Sequence, residues 1–159
     1  VNQNLKKPAV QRNLKNEVNN TIEVLSGEVR RTGMFISVDI DDDLTVQVIP
    51  AYLDSILLNL LSNAIKYQSP FVKSSLRIAA RCTDEHTILS FADNGVGIDL
   101  ERNGSKIFGM YETFHDNEDA RGFGLYITKN QIEAMGGKIE VESNVNVGTT
   151  FHIYFAKKV

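Results

Sequence analysis

The stretch Ser55–Gln68, SILLNLLSNAIKYQ, is apolar along most of its length and crossed by one polar strip. Asn59, Asn63 and Lys66 stand at i, i+4 and i+7, so a 3.6-residue repeat places them on one face. Leu53, Leu57, Leu60, Leu61 and Ala64 fall on roughly the opposite side, and Ile56, Leu58 and Ile65 fill much of what remains. The spacing predicts a helix, and a helix apolar over most of its circumference is normally buried. Polar groups on such a helix need polar partners, because unpaired ones are costly to bury. An anion with a bound cation suits two carboxamides and an amine, since amide oxygens ligate hard metals and Lys meets phosphate oxygens. A half-exposed helix with a solvated polar edge would account for the same residues, so the rest of the chain must decide.

Working outward, Pro50 is expected to open this helix, where its missing N–H does least harm, and Ser69-Pro70 to end it. Upstream, residues 1–12 read as a linker or the tail of an upstream element, with one domain spanning 13–159. Asn13–Arg31 is expected to be a helix, with Val18, Ile22, Leu25 and Val29 as its buried stripe. Phe35–Ile40 and Leu44–Ile49 are β-rich runs flanking Asp41-Asp42-Asp43, which a solvated hairpin turn explains more cheaply than a metal. Downstream, Ser74–Arg81 and Thr87–Phe91 read as hairpin-joined strands. A polar loop follows over 99–120, carrying a small aromatic knot of Ile107-Phe108, Tyr111 and Phe114. Gly122–Met135 is expected to be a second amphipathic helix, and Lys138–Glu142 and Thr149–Phe155 a final antiparallel pair. Clustered helices and hairpin-joined strands predict an α/β (α+β) two-layer sandwich: a mixed, mostly antiparallel sheet with helices on one face.

Composition narrows the function classes. The 159 residues suffice for one domain with a respectable core, and 42% hydrophobic with 23% charged residues is ordinary for a globular protein. A formal net charge of -3 gives no reason to expect nucleic acid, which leaves a basic footprint on its binders. Cys82 is the single cysteine, which excludes a disulfide framework and a cysteine-based zinc site within the chain. No apolar run approaches the roughly 20 residues of a membrane span, and the polar start does not resemble a signal peptide. A cytoplasmic setting is the default expectation. The first residue is Val rather than Met, so the chain is read as a piece of a longer protein.

Two glycine-containing stretches carry chemistry. Asp93-Asn94-Gly95-Val96-Gly97 ends a predicted strand: an Asp there can accept from an amino group such as an exocyclic purine amine, and the glycines allow close backbone approach. An ordinary Asn-Gly turn would fit the same five residues, and a dinucleotide fingerprint does not, because Leu100 occupies the third glycine position. Arg121-Gly122-Phe123-Gly124-Leu125 leaves the polar loop and opens a helix, whose exposed N–H groups and dipole attract anions. No Gly-Lys-Ser/Thr occurs, so this is no Walker loop. Gly148-Thr149-Thr150, before the last strand, adds a hydroxyl within reach of the Asp93 neighbourhood.

The order is the specific part: Asn-Ala-x-Lys-Tyr on a helix, Asp-x-Gly-x-Gly after a strand, the knot, the loop, Gly-x-Gly-Leu on a helix, and Gly-Thr-Thr-Phe on a strand. In that order the chain resembles the ATP-binding catalytic domain of bacterial sensor histidine kinases, within the wider gyrase B, heat-shock chaperone and mismatch-repair ATPase superfamily with its Bergerat-type ATP-binding fold. The likeness runs from about Asn13 to the C-terminus. It implies ATP and Mg2+ as cofactors, with Asn63 as the metal-binding asparagine and Asn59 one turn earlier. Lys66 would approach the phosphates and Tyr67 would line the adenine pocket. Asp93 would bind the adenine amine, Gly95 and Gly97 would shape the pocket, and Ile98 would form part of its apolar wall. Phe108 resembles the F-box phenylalanine, and 110–121 would be the ATP lid. Gly122 and Gly124, with Leu125 beside them, would meet the phosphates, and Thr149 would assist Asp93 through water.

Two departures stand out. Ala120 occupies a position where the family usually has Gly, and Ile49 stands where it often places a capping Asp. Asn59 discriminates between branches: hydrolysing relatives typically carry Glu there, and an amide cannot serve as that base. The resemblance therefore implies transfer of the γ-phosphoryl to a histidine, with a response regulator receiver domain downstream and a homodimeric parent protein, membrane-anchored or not, of which this piece alone is a monomer. That histidine is expected outside the chain. His86, His115 and His152 are read as structural or solvated, although His115-Asp116 has the dipeptide of a phosphoacceptor. A superfamily member that binds or slowly hydrolyses ATP without phosphorylating histidine is the alternative.

Overall fold

The computed structural model describes residues 8–104, 106–109 and 124–157. The polar-striped segment forms helix α3 (Pro50–Lys66), and Leu53, Ile56, Leu57, Leu60 and Leu61 on it are all at most 1% exposed. Pro50 sits in its first turn, as expected, and Ile49 caps it without a side-chain hydrogen bond. Instead the Ile49 carbonyl accepts from the Tyr52 and Leu53 N–H groups. The helix stops at Lys66, two residues short of Gln68.

The first expected helix is two. Asn13 Oδ1 accepts from the Asn16 N–H at 2.9 Å and starts α1 (Leu14–Val24). The helix breaks at Leu25, and α2 (Ser26–Thr32) follows, ending on Gly33 with φ +75°. Ser26-Gly27 at the break supplies two weak helix formers. The stripe shifts accordingly: Leu14, Val18 and Thr21 are buried, Ile22 and Leu25 pack partly, and α2 buries nothing fully.

The strands divide between two sheets rather than one. β1 (Val10–Asn13) pairs antiparallel with β3 (Thr45–Val48), so the end of the expected linker is a strand. The larger sheet contains β2 (Phe35–Asp39), β4 (Ser75–Cys82), β5 (His86–Asp93), β6 (Lys138–Asn144) and β7 (Gly148–Ala156), in the order β2-β4-β5-β7-β6. The pairing of β2 with β4 is parallel and the other three pairings are antiparallel. Consequently the two β-rich runs around the three aspartates form no hairpin. Leu44 N–H does donate to the Asp41 carbonyl, but β2 and β3 then enter different sheets. The acidic turn instead meets α1, where Lys15 Nζ lies 2.8 Å from Asp42 Oδ1 and Asn13 Nδ2 donates to the Asp42 carbonyl. Two short helices complete the described chain, α4 (Leu100–Asn103) and α5 (Leu125–Ala134).

One layer of helices covers one face of the larger sheet. Leu76, Ile78, Leu89, Phe91, Phe151, Ile153 and Phe155 face α3, with Leu14, Leu125 and Ile132 joining the same core. Strict alternation on β7 puts Thr149, Phe151, Ile153 and Phe155 inside and His152 and Tyr154 on the opposite face. There His152 sits between Ser90 Oγ (2.7 Å) and Glu142 Oε1 (3.2 Å), and the His86 ring meets Tyr154 edge-on, so both are structural surface groups. The two-layer sandwich with a mostly antiparallel sheet stands.

Candidate functional site

The end of α3, the end of β5, the loop after it and the start of β7 converge on one pocket. Asn63, Tyr67, Asp93, Gly97, Ile98, Thr149 and Phe151 line it. Among these, Asn63 is 7% exposed, Ile98 7% and Thr149 6%, so the walls are well covered by protein. The space they enclose at the floor is about 20 Å³, room for one water. A larger groove of about 540 Å³ lies between α1 and the start of α3, lined by Glu17, Val24, Asp54 and Leu58 among others. None of the candidate residues reaches it.

Asp93 is the best-defined polar group. Its Oδ1 accepts from the Gly95 N–H at 2.9 Å and the Thr149 N–H at 3.2 Å. Its Oδ2 receives no hydrogen bond among the described residues, which leaves a fixed acceptor edge toward the pocket. Burial pushes the Asp93 carboxyl above its ordinary value, and the two backbone donors only partly offset that. Thr149 thus meets Asp93 directly through its backbone N–H.

The glycines after Asp93 serve the protein's own packing. A Cβ on Gly95 would collide with the Tyr67 carbonyl, which also accepts the Val96 N–H at 3.0 Å. Gly97 has φ +78°, and a Cβ there would strike the Asn144 carbonyl of the β6–β7 turn. That turn is in contact from its own side, since the Asn146 N–H donates to the Val96 carbonyl at 2.7 Å. Both glycines therefore allow a close approach of backbone to backbone, which fixes the loop beside the pocket.

The polar strip of α3 splits by depth. Asn63 lines the pocket, Asn59 is half-buried, and Lys66 is exposed, with Nζ 5.5 Å from the Tyr67 ring centroid. Asn59 Nδ2 donates to Thr128 Oγ1 of α5 at 2.9 Å, and Thr128 is fully buried. This bond ties the strip to the helix that Gly124 opens. Gly124 caps that helix with φ +62° and is exposed. Leu125, expected beside the phosphates, is 1% exposed and belongs to the core instead, because its position in the first turn of α5 faces the sheet. Phe108 likewise packs against the core, behind Ile107 at 4% exposure. Gly122, Ala120, His115 and the expected lid lie outside the described residues.

Two residues join the site that no motif had flagged. Thr128 holds Asn59. Ser143 stands opposite Thr149 on β6, where its Oγ accepts from the Ile98 N–H at 2.7 Å and contacts Thr149 Oγ1 at 2.7 Å. The signal for Ser143 was present, since it is the third inward position of a strand whose first two are Ile139 and Val141.

Residues 48–159 match the family described as histidine kinase-, DNA gyrase B- and HSP90-like ATPases. Over 132 residues the chain is 31% identical to the methanogenesis regulatory histidine kinase FilI of Methanothrix harundinacea, covering 83% of this chain and 15% of that protein. It is 39% identical over 106 residues to the sensor histidine kinase AruS of Pseudomonas aeruginosa, covering 63% and 10% respectively. The chain thus spans a small part of these relatives. In fold it is similar to the catalytic domain of histidine kinase ThkA in a nucleotide-free form, with TM-score 0.82, 23% identity and coverage of 94% and 97%. It is also similar to full-length ShkA in complex with AMPPNP, with TM-score 0.80, 24% identity and coverage of 96% and 32%. With the family match spanning both α3 and the whole Asp93 pocket, the chain belongs to the histidine kinase-, DNA gyrase B- and HSP90-like ATPase family.

Proposed function

We propose that this chain binds Mg-ATP and, within a longer sensor histidine kinase, passes the γ-phosphoryl group to a histidine that the chain itself does not carry. The observation that supports it most is the pairing of Asp93, an anchored acceptor facing the pocket, with Asn59, an amide held by Thr128 at the other end of the strip. An amine-bearing base suits the first. A phosphoryl transfer that needs no strong base from this domain suits the second, because a histidine acceptor is itself a competent nucleophile.

The donor set fits a hard divalent cation. Carboxamide oxygens of Asn63 and Asn59 are the ligands it would take from this chain, with the triphosphate supplying the rest. Bound Mg2+ would neutralise charge on the phosphates. Asn63 lines the pocket and orients whatever occupies it, Tyr67 and Ile98 cover the base, and Lys66 adds a positive charge at the exposed end. The partners that follow are a phosphoacceptor and dimerisation domain of the same parent and a response regulator receiver domain, with a cytoplasmic location.

Calorimetric titration with ATP, with and without Mg2+, tests the reading on the wild type and on Asn63→Ala. The expected result is binding that weakens at least tenfold on metal removal and in the variant. No binding by the wild type sinks the nucleotide reading. Labelling of a histidine when the upstream region is restored supports transfer; steady phosphate release by the chain alone, with no labelled histidine in the longer protein, favours a non-kinase ATPase instead.

A further inference from the structure

Ser143 has one proton and two oxygen neighbours, and this decides what the pocket can recognise. Its Oγ lies 2.9 Å from the Gly148 carbonyl oxygen and 2.7 Å from Thr149 Oγ1, and it accepts the Ile98 N–H at 2.7 Å. Two oxygens that close repel unless a proton lies between them. The Gly148 carbonyl has none to give, so Ser143 must donate to it. The Thr149 hydroxyl has its own, so Thr149 donates to Ser143. This is the one assignment that places a proton in both contacts, and it uses the single proton and both lone pairs of the serine.

The consequence falls on the pocket side of Thr149. With its proton committed to Ser143, the Thr149 hydroxyl offers only lone pairs there. Asp93 Oδ2 beside it is also an acceptor, and its partner oxygen is occupied by two backbone donors. The side of the pocket formed by Asp93 Oδ2 and the Thr149 hydroxyl is therefore acceptor-only, and the base edge against it must bring hydrogens, directly or through one water.

We propose that Ser143 is a positioning residue for base specificity: by taking the Thr149 proton it makes the floor select a 6-amino purine over a 6-oxo purine. This rests on the nucleotide reading above and adds to it a residue outside the quoted motifs. Neither Ser143 nor its proton touches the nucleotide; the effect passes through Thr149. When Ser143 is absent, Thr149 is released to turn its proton into the pocket and donate to a carbonyl.

The test compares dissociation constants for ATP and ITP, which exchanges the amine for a carbonyl, in the full chain with Mg2+. The wild type should prefer ATP by roughly a hundredfold or more, as expected where a buried acceptor is left facing a carbonyl. Ser143→Ala should reduce that ratio about tenfold, the worth of one hydrogen bond of reversed polarity, and Ser143→Thr should restore it. A merely structural role would weaken both nucleotides together and leave the ratio alone, so an unchanged ratio overturns the proposal while the nucleotide reading survives. Equal ATP and ITP affinities in the wild type overturn it too. If Ser143→Ala does not fold, Thr149→Val removes the same acceptor without touching Ser143, and the ratio must fall there or the proposal fails. A wild type that binds neither nucleotide removes the nucleotide reading itself.

Discussion

Asp93 shows how burying one ionisable residue works against stability. Burial raises its carboxyl pKa above the ordinary 3.8, so the folded state holds the proton more tightly than the unfolded chain does. Its contribution to stability is therefore complete below pH 3.8 and declines as pH rises through the raised value. Asp93→Asn keeps an oxygen for the Gly95 and Thr149 N–H groups and cannot ionise. Urea denaturation at several pH values should show the variant gaining on the wild type as pH rises from about 3 to 7. Its nucleotide affinity should move the other way. With its oxygen held by two N–H donors, the new amide nitrogen is forced toward the pocket and meets an amine donor to donor. ATP should weaken by about 2 kcal/mol or more, roughly thirtyfold, in the same titration. Retained ATP affinity in this variant would remove Asp93 from base recognition.

At the scale of elements, the Asn59–Thr128 hydrogen bond adds a polar tie to the apolar packing of α3 on α5, and the Asp93 loop is tied to the β6–β7 hairpin by the Asn146 N–H to Val96 carbonyl bond and by Ser143. Thr128→Val preserves volume but leaves the half-buried Asn59 Nδ2–H group without its acceptor. It should cost about 1–2 kcal/mol in chemical denaturation, less than a core truncation. Leu57→Ala, on the fully buried side of the same helix, should cost about 2–5 kcal/mol. If Thr128→Val proves the more damaging of the two, the contact has a larger part in the fold than its geometry indicates. Gly97→Ala combines a left-handed backbone with a collision against the Asn144 carbonyl. A loss of about 2–4 kcal/mol in thermal or urea unfolding is expected, with nucleotide binding falling beyond what stability explains. A neutral outcome would mean that the turn can move aside.

The whole molecule is a two-layer domain in which the helices cover one sheet face and the pocket sits at the edge of that layer. A ligand that bridges α3, the Asp93 loop and β7 ties together residues distant in sequence. It should therefore stabilise the chain globally. At ATP concentrations a hundred times Kd, mass action gives about 2.7 kcal/mol, which for a domain of this size is a Tm rise of roughly 5–10 °C. Chelating Mg2+ should remove most of the rise if Asn63 and Asn59 hold the metal. A full rise in the presence of EDTA would show that the cation is not needed for binding.

Sequence by itself determined α3 and its polar strip, the hairpins β4–β5 and β6–β7, and the identity of Asp93, because each is written in local periodicity or in a short turn. It also carried Asn63, Tyr67, Ile98 and Thr149 to one pocket through the order of the motifs. Tertiary structure alone decided that β2 and β3 part into different sheets, since pairing choice depends on partners far along the chain. Likewise Leu125 was assigned to the core by the facing of α5, and Gly95 and Gly97 proved to be needed for backbone packing. The inward facing of Ser143 is written in the alternation of β6, but its bonds to Ile98 and Thr149, like that of Thr128 to Asn59, became visible only across elements, because a hydrogen bond between strands or helices leaves no mark in the spacing of either one.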